Sequence, residues 1–410
     1  MSAAKHKENN ISFYQGGDAI GGEDCLKNIK QKIAELSNIK NISFLLGSGA
    51  SSDAIPSMKI MQEEITKSIN EGSDEEIKTL YKSIISDNLE EILTILHAKK
   101  YYLKGIHPVN TSETSDDDTQ DKETLNVEDL IKHIEDSMYS KINIDLSSSD
   151  ATKSLDLYKQ FYQKTALRNK DRSRVNVFTT NNDLFNEKAL DILNIDYNNG
   201  FGGGLERVFN PARFHYTFSK KIDVNLEKFE PLENMVYLYK LHGSISWIEQ
   251  GGNSLFNIQE ILVAGGETKS NDSHVLIYPT PLKQAQSLGS PYADIIREFQ
   301  TKLSLPNSVI FIIGYSFSDE HLNNIIYQAL TSNSSISIVI FGEYEDCPLA
   351  KIKDSRIYRI FGMDQEGNKI HYFEHIVKEL LPNVDENIDA TLLDAFVSSL
   401  NDALKSDGAV

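Results

Sequence analysis

The sequence predicts an α/β protein with a doubly wound, mostly parallel sheet, a large helical insertion and a helical C-terminal tail. Three observations carry that expectation. Short, continuous apolar runs recur along the chain, at 42–46, 175–183, 235–244, 274–280, 308–316 and 336–343. Runs with no polar alternation indicate strands covered on both faces. Segments of helical period lie between several of them, and that alternation favours parallel crossovers. Finally, four runs end in clusters of small polar residues, where open α/β sheets bind ligands.

Taken in order, residues 24–40 read as a helix, with Leu26, Ile29, Ile33 and Leu36 on one stripe. The strand at 42–46 breaks into Gly47-Ser48-Gly49-Ala50-Ser51, a turn able to bring backbone close to a guest. A helix opening after it would favour an anion such as a phosphate. Asp87 or Asn88 can cap a helix carrying Leu89, Ile92, Leu93 and Leu96. Residues 108–124 are dense in acidic and hydroxyl side chains and are expected to be a disordered loop. Helical pattern resumes from Val127 to about Leu167, so 57–174 should be mostly helix. A further helix is expected at 319–331, and an amphipathic segment closes the chain at 387–404.

Composition narrows the function. With 60 acidic against 41 basic residues the formal charge is −19, which disfavours broad nucleic-acid or anionic-membrane binding. No apolar run reaches membrane-spanning length, and MSAAKHKENN lacks a signal-peptide core. Cys25 and Cys347 are the only cysteines, so neither a disulfide framework nor a Cys-ligated zinc ribbon is expected. The expected location is cytoplasmic. His371 and His375 fit an H-x-x-E-H spacing, but no third ligand is evident and no metal site is expected.

The strand-end clusters are Gly47 to Ser51, Thr179-Thr180-Asn181-Asn182-Asp183, Leu241-His242-Gly243-Ser244, and Gly314-Tyr315-Ser316 with Asp319 soon after. Converging on one crevice, they could grip amide, ribose and phosphate groups, with a histidine to move a proton near neutral pH. As an ordered set, G-x-G-A-S, T-x-N-x-D, L-H-G-S and G-x-S-x-x-D resemble the sirtuin-type NAD-binding domain, a Rossmann variant. The greatest similarity is to the bacterial sirtuin-like NAD hydrolases of anti-phage defence, which act by abortive infection. The resemblance covers about 41–345.

That resemblance implies Asn181 and His242 as the catalytic pair and Asp183 facing the nicotinamide amide. It implies cofactor contacts at Gly47, Ser48, Gly49, Ala50, Ser51, Gly314 and Ser316, with Glu343 toward the adenosine ribose. NAD is then the substrate, cleaved to nicotinamide and ADP-ribose. An NAD-dependent deacylase and a non-catalytic NAD or ADP-ribose sensor are the alternatives. Two distant cysteines, and Ala54-Ile55-Pro56-Ser57-Met58-Lys59 in place of G-I-P-x-F-R, count against the deacylase. Relatives of this kind also imply a homo-oligomer and a HerA-type hexameric ATPase partner. The expected organisation is a helical extension at 1–40, the catalytic domain at 41–345 with its insertion at about 60–170, and a helical segment at 346–410.

Overall fold

The computed structural model describes residues 10–20, 24–86, 88–105, 116–169, 171–223, 227–249, 258–263, 265, 274–276, 290–344 and 347–383. Its centre is a nine-stranded sheet. In spatial order the strands are Asp18–Ala19, Asn10–Gln15, Ile357–Met363, Ile336–Phe341, Ser308–Ile313, Asn41–Leu46, Val175–Thr179, Met235–Lys240 and Asp196–Asn198. From Ile357–Met363 to Asp196–Asn198 every pairing is parallel, whereas the two N-terminal strands add antiparallel at one edge.

Alternate residues of the central strands feed opposite cores. Phe44 and Phe311 pack on one face, while Leu45, Ile310 and Ile312 pack on the other. Helices Cys25–Ser37 and Ser149–Thr165 contribute Ile29, Ile33, Tyr158 and Phe161 to the first core. Helices Tyr292–Leu303 and Glu320–Ser332 contribute Phe299 and Ile326 to the second. Burial on both faces is why these strands read as unbroken apolar runs.

From Asn41–Leu46 the chain moves to Val175–Thr179 on one side. It later builds Ser308–Ile313 and Ile336–Phe341 on the other. The order of the sheet therefore reverses around Asn41–Leu46, and a crevice is expected beyond that strand's C-terminal end.

Several sequence expectations are corrected. The first 40 residues are not only helical, since Asn10–Gln15 joins the sheet edge. Nor does the sheet end near residue 343, because Ile357–Met363 extends it inside the expected helical segment. Residues 116–124 open helix Asp116–Ile142 and are not a loop; 108–115 and the amphipathic 387–404 lie outside the described residues. His274–Leu276 joins a small antiparallel sheet with Gly243–Glu249, Ile258–Glu260, Arg207–Phe209 and Phe201–Gly202, not the parallel one.

The insertion is also shorter than expected. Helices Met58–Gly72, Glu75–Ser83, Leu89–Gly105 and Asp116–Ile142 close around their own core of Ile65, Ile69, Leu93, Leu96, Leu130 and Ile134. Helix Ser149–Thr165 instead belongs to the main core. Periodicity marks all five as amphipathic but cannot say which surface each covers.

Candidate active site

A cavity of about 320 Å³ lies at the crevice, lined from all four strand-end clusters and from the helical insertion. Ser48, Gly49 and Ser51 come from the first, Asn181 and Asp183 from the second, His242 from the third, and Ser316 with Asp319 from the fourth. Met58, Met61, Met138 and Ile142 of the insertion form an apolar wall.

The glycines serve a close approach between two loops. A Cβ on Gly47 would stand 2.4 Å from the Gly314 carbonyl oxygen, and one on Gly49 2.7 Å from Gly314 Cα. Gly314 itself has φ +64°, so glycine is favoured on both sides of the crossing. The Gly47 N–H donates to Ile313 O and the Gly49 N–H to Gly314 O, each at 2.9 Å. These N–H groups therefore bind the neighbouring loop. The expected helix does not follow directly either: Ser48–Ala50 is a single 3₁₀ turn, and the next helix starts at Met58, capped by Ser57.

Of the residues expected in the site, Gly47, Ala50 and Gly314 do not line the cavity. Glu343 is exposed beyond Ile336–Phe341 and is likewise absent from the lining.

Asn181 is held in one orientation. Its Nδ2 donates to Gly47 O at 3.0 Å and to Ser51 Oγ at 3.1 Å. Reversing the amide would set two acceptor oxygens against each other at Gly47, so the carbonyl Oδ1 is the group left to accept a hydrogen bond. Asp183 is 2 % exposed; its Oδ1 accepts from Phe185 N at 3.1 Å and its Oδ2 from Ser51 Oγ at 2.8 Å. Ser51 has one hydroxyl proton. With that proton on the Asp183 carboxylate, the Tyr158 hydroxyl 2.9 Å away must donate to Ser51. Burial pushes the Asp183 carboxyl above its usual range, with Lys240 and the Ser51 hydrogen bond pulling it back.

Sequence reasoning missed Tyr158, Lys240 and Glu187. Lys240 is 1 % exposed at the end of Met235–Lys240. Its Nζ donates to the Asp183 carbonyl, to Ser244 Oγ at 2.9 Å and to Glu187 Oε1 at 2.9 Å. One ammonium thus ties the Asn181–Asp183 loop to the His242 turn. The signal was a lysine within an otherwise buried run, although a strand's final residue is ordinarily free to reach solvent.

His242 sits in the turn where Met235–Lys240 hands over to Gly243–Glu249. Its Nε2 lies 3.0 Å from Asp319 Oδ2, while Asp319 Oδ1 accepts from the N–H groups of His321 and Leu322 and caps helix Glu320–Ser332. The carboxylate can only accept, so it fixes the proton on Nε2 and makes Nδ1 the basic nitrogen.

Elsewhere, burial pushes the His371 and His375 imidazoles below their usual range. Among the described residues no group of three or more His, Cys, Asp or Glu is placed to hold a metal ion. Nor, among those residues, is any helix long and apolar enough to cross a membrane.

A reversing parallel sheet with a cavity at its switch point, polar at the strand ends and apolar along the helical insertion, defines an α/β protein of the doubly wound class. The comparisons narrow this further: residues 175–358 match the SIR2-like domain, a stretch that includes Asn181, Asp183, His242 and Ser316. A solved structure described as a Sir2 histidine-to-alanine variant with deacetylated p53 peptide and 3′-O-acetyl ADP ribose is 15 % identical. It covers 86 % of this chain and 98 % of its own, with a TM-score of 0.31. No curated protein matches.

Proposed function

We propose that this cavity hydrolyses NAD at the nicotinamide–ribose bond. The observation that carries the reading is the joint placement of the Asn181 acceptor oxygen, the buried Asp183 carboxylate and the Asp319-held His242 around one cavity. The SIR2-like match over 175–358 supports NAD as the substrate class.

In this reading Asp183 accepts from the carboxamide of the leaving nicotinamide. Asn181 Oδ1 accepts from the attacking water and aims it at ribose C1′. As the C1′–N bond breaks and the C1′–O bond forms, the transition state gains oxocarbenium character, as at other glycosidic centres. His242 takes the proton that the water loses. Nicotinamide departs neutral, and ADP-ribose is the other product.

Water is favoured over an acyl-lysine as the nucleophile. Cys25 packs against the core on one sheet face and Cys347 in the core on the other, so these two cannot share a zinc ribbon. Purified chain incubated with NAD and no peptide is expected to release equimolar nicotinamide and ADP-ribose by chromatography. Release only when an acylated peptide is added would establish the deacylase instead, and binding without cleavage would establish a sensor.

The same reading makes the chain an anti-phage effector that depletes NAD, working as a homo-oligomer beside a hexameric ring ATPase of HerA type. An enzyme that drains a shared cofactor needs restraint, and other chains can supply it. Light scattering is expected to give a mass at a multiple of 46.2 kDa; a monodisperse monomer would refute the oligomer.

A further inference from the structure

A second, larger cavity of about 760 Å³ lies beyond the row formed by Asp183, Lys240 and Glu187. Glu187, on helix Phe185–Ile192, lines it together with Ser246 and Glu260 of the small sheet. Its walls include residues 142–147 and 259–263 with Gly265. These close on each other at one point, where a Cβ on Gly265 would stand 2.7 Å from Asp145 Cα. Leu205 and Leu262 also line the cavity and are fully exposed, each two residues out from the cross-strand pair Arg207 and Glu260.

The decisive group is Glu187, which is 7 % exposed. Its Oε1 accepts from Lys240 Nζ at 2.9 Å, but its buried Oε2 has no hydrogen-bond partner among the described residues. Glu260 differs in having a cation at the corresponding oxygen: its Oε1 accepts from Asn199 Nδ2 at 2.7 Å, and its Oε2, although also without an aligned hydrogen bond, lies 2.7 Å from Arg207 Nη1. A buried carboxylate oxygen without a donor is costly, and an occupant bearing N–H groups would relieve that cost. With Arg207 paired to Glu260 and Lys240 to Glu187, the remaining charges of the lining are Asp145 and Asp191 against Lys188, an excess of acid.

We infer that this cavity binds a small organic cation, a protonated amine or guanidinium on an apolar stem, with its charged head at Glu187 Oε2. The stem would run along Ile144 and Leu146 toward Leu205 and Leu262, all of which line the cavity. The volume suits a small ligand. This site stands apart from the NAD reading, although Lys240 joins the two cavities through Glu187 on one side and the Asp183 carbonyl on the other.

Agmatine, an amine and a guanidinium on a butyl stem, is the probe. Calorimetric titration of the full chain at about 0.15 M salt, where long-range attraction is largely screened, is expected to show one saturable site. Trp247, the sequence's only tryptophan, should report the same event by fluorescence, since it is the cross-strand partner of Glu260. Glu187→Gln is expected to weaken binding at least tenfold, and Leu262→Trp should obstruct the cavity. Asn181→Ala should bind agmatine like the parent.

If Glu187→Gln does not fold, Leu262→Trp carries the test, because that position is fully exposed. The inference is overturned if no saturable heat appears, or if many weak sites appear as expected of a chain of net charge −19. Unchanged affinity in the folded variants would overturn it too. NAD cleavage enters none of these readouts, so failure here and failure of the hydrolase reading are separable.

Discussion

Replacing His242 by alanine is expected to lower NAD cleavage by about 10²–10⁴-fold, the usual contribution of a positioned general base. Asn181→Ala should do the same through loss of the oxygen that aims the water. The more discriminating variant is Asp319→Asn. Asp319 Oδ1 caps helix Glu320–Ser332, so an asparagine must keep its carbonyl oxygen there and turn its NH₂ toward His242 Nε2. The imidazole would then carry its proton on Nδ1 and lose the basic nitrogen.

Asparagine is a good N-cap, so the unfolding midpoint should move little. The rate should fall by about 10²-fold or more, mainly in kcat with KM nearly unchanged, because a wrong tautomer removes a base and not a contact with bound NAD. Parent-level kcat in Asp319→Asn would remove that tautomer from the mechanism. Parent-level turnover in His242→Ala would remove the histidine altogether.

Lys240→Met is expected to be the most damaging single change for stability, at about 3–5 kcal/mol. It strands the Glu187 carboxylate, together with the Asp183 carbonyl and the Ser244 hydroxyl, in a site that Lys240 alone now satisfies with charge. The double change Lys240→Met with Glu187→Leu should recover much of that loss, since apolar replacement of a buried ion pair is often near neutral.

The pH dependence has a definite sign. Burial already raises the Glu187 carboxyl, with Lys240 opposing the rise, so removing Lys240 raises it further. A raised acid is easiest to fold while protonated. The deficit should therefore be small below the unfolded glutamate value of about 4.3 and grow as pH rises through the folded one. Urea unfolding of parent and variant at pH 5 and pH 8 measures this. A loss below about 1 kcal/mol at pH 8, or an equal loss at both values, would contradict the buried pair as the tie between the loops.

Much of this protein was legible in the chain. Phe44, Leu45 and Leu46, Val309 to Ile313 and Ile338 to Phe341 announced strands buried on both faces, because nothing polar interrupts them. Turn chemistry announced the strand ends, since glycine is what lets two backbones cross at Gly47 and Gly314. The clusters around Ser51, Asn181, His242 and Ser316 followed from where those strands stop, and all four reach the cavity. Local patterning determines such features, because an isolated segment already carries its period and its breakers.

Contacts between distant segments were decided by the tertiary structure alone. Nothing near Asn10–Gln15 marks its partner as Ile357–Met363, more than 340 residues away, and His274–Leu276 looked no different from a parallel strand. Glu343 follows a strand end as Ser316 does, yet it stays at the surface away from the cavity. Lys240 read as one polar residue closing an apolar run; its worth comes from Glu187, Ser244 and the Asp183 carbonyl converging on it. Periodicity reports which residues avoid water, whereas the partner of a buried charge is set by three-dimensional packing, to which sequence distance gives no clue.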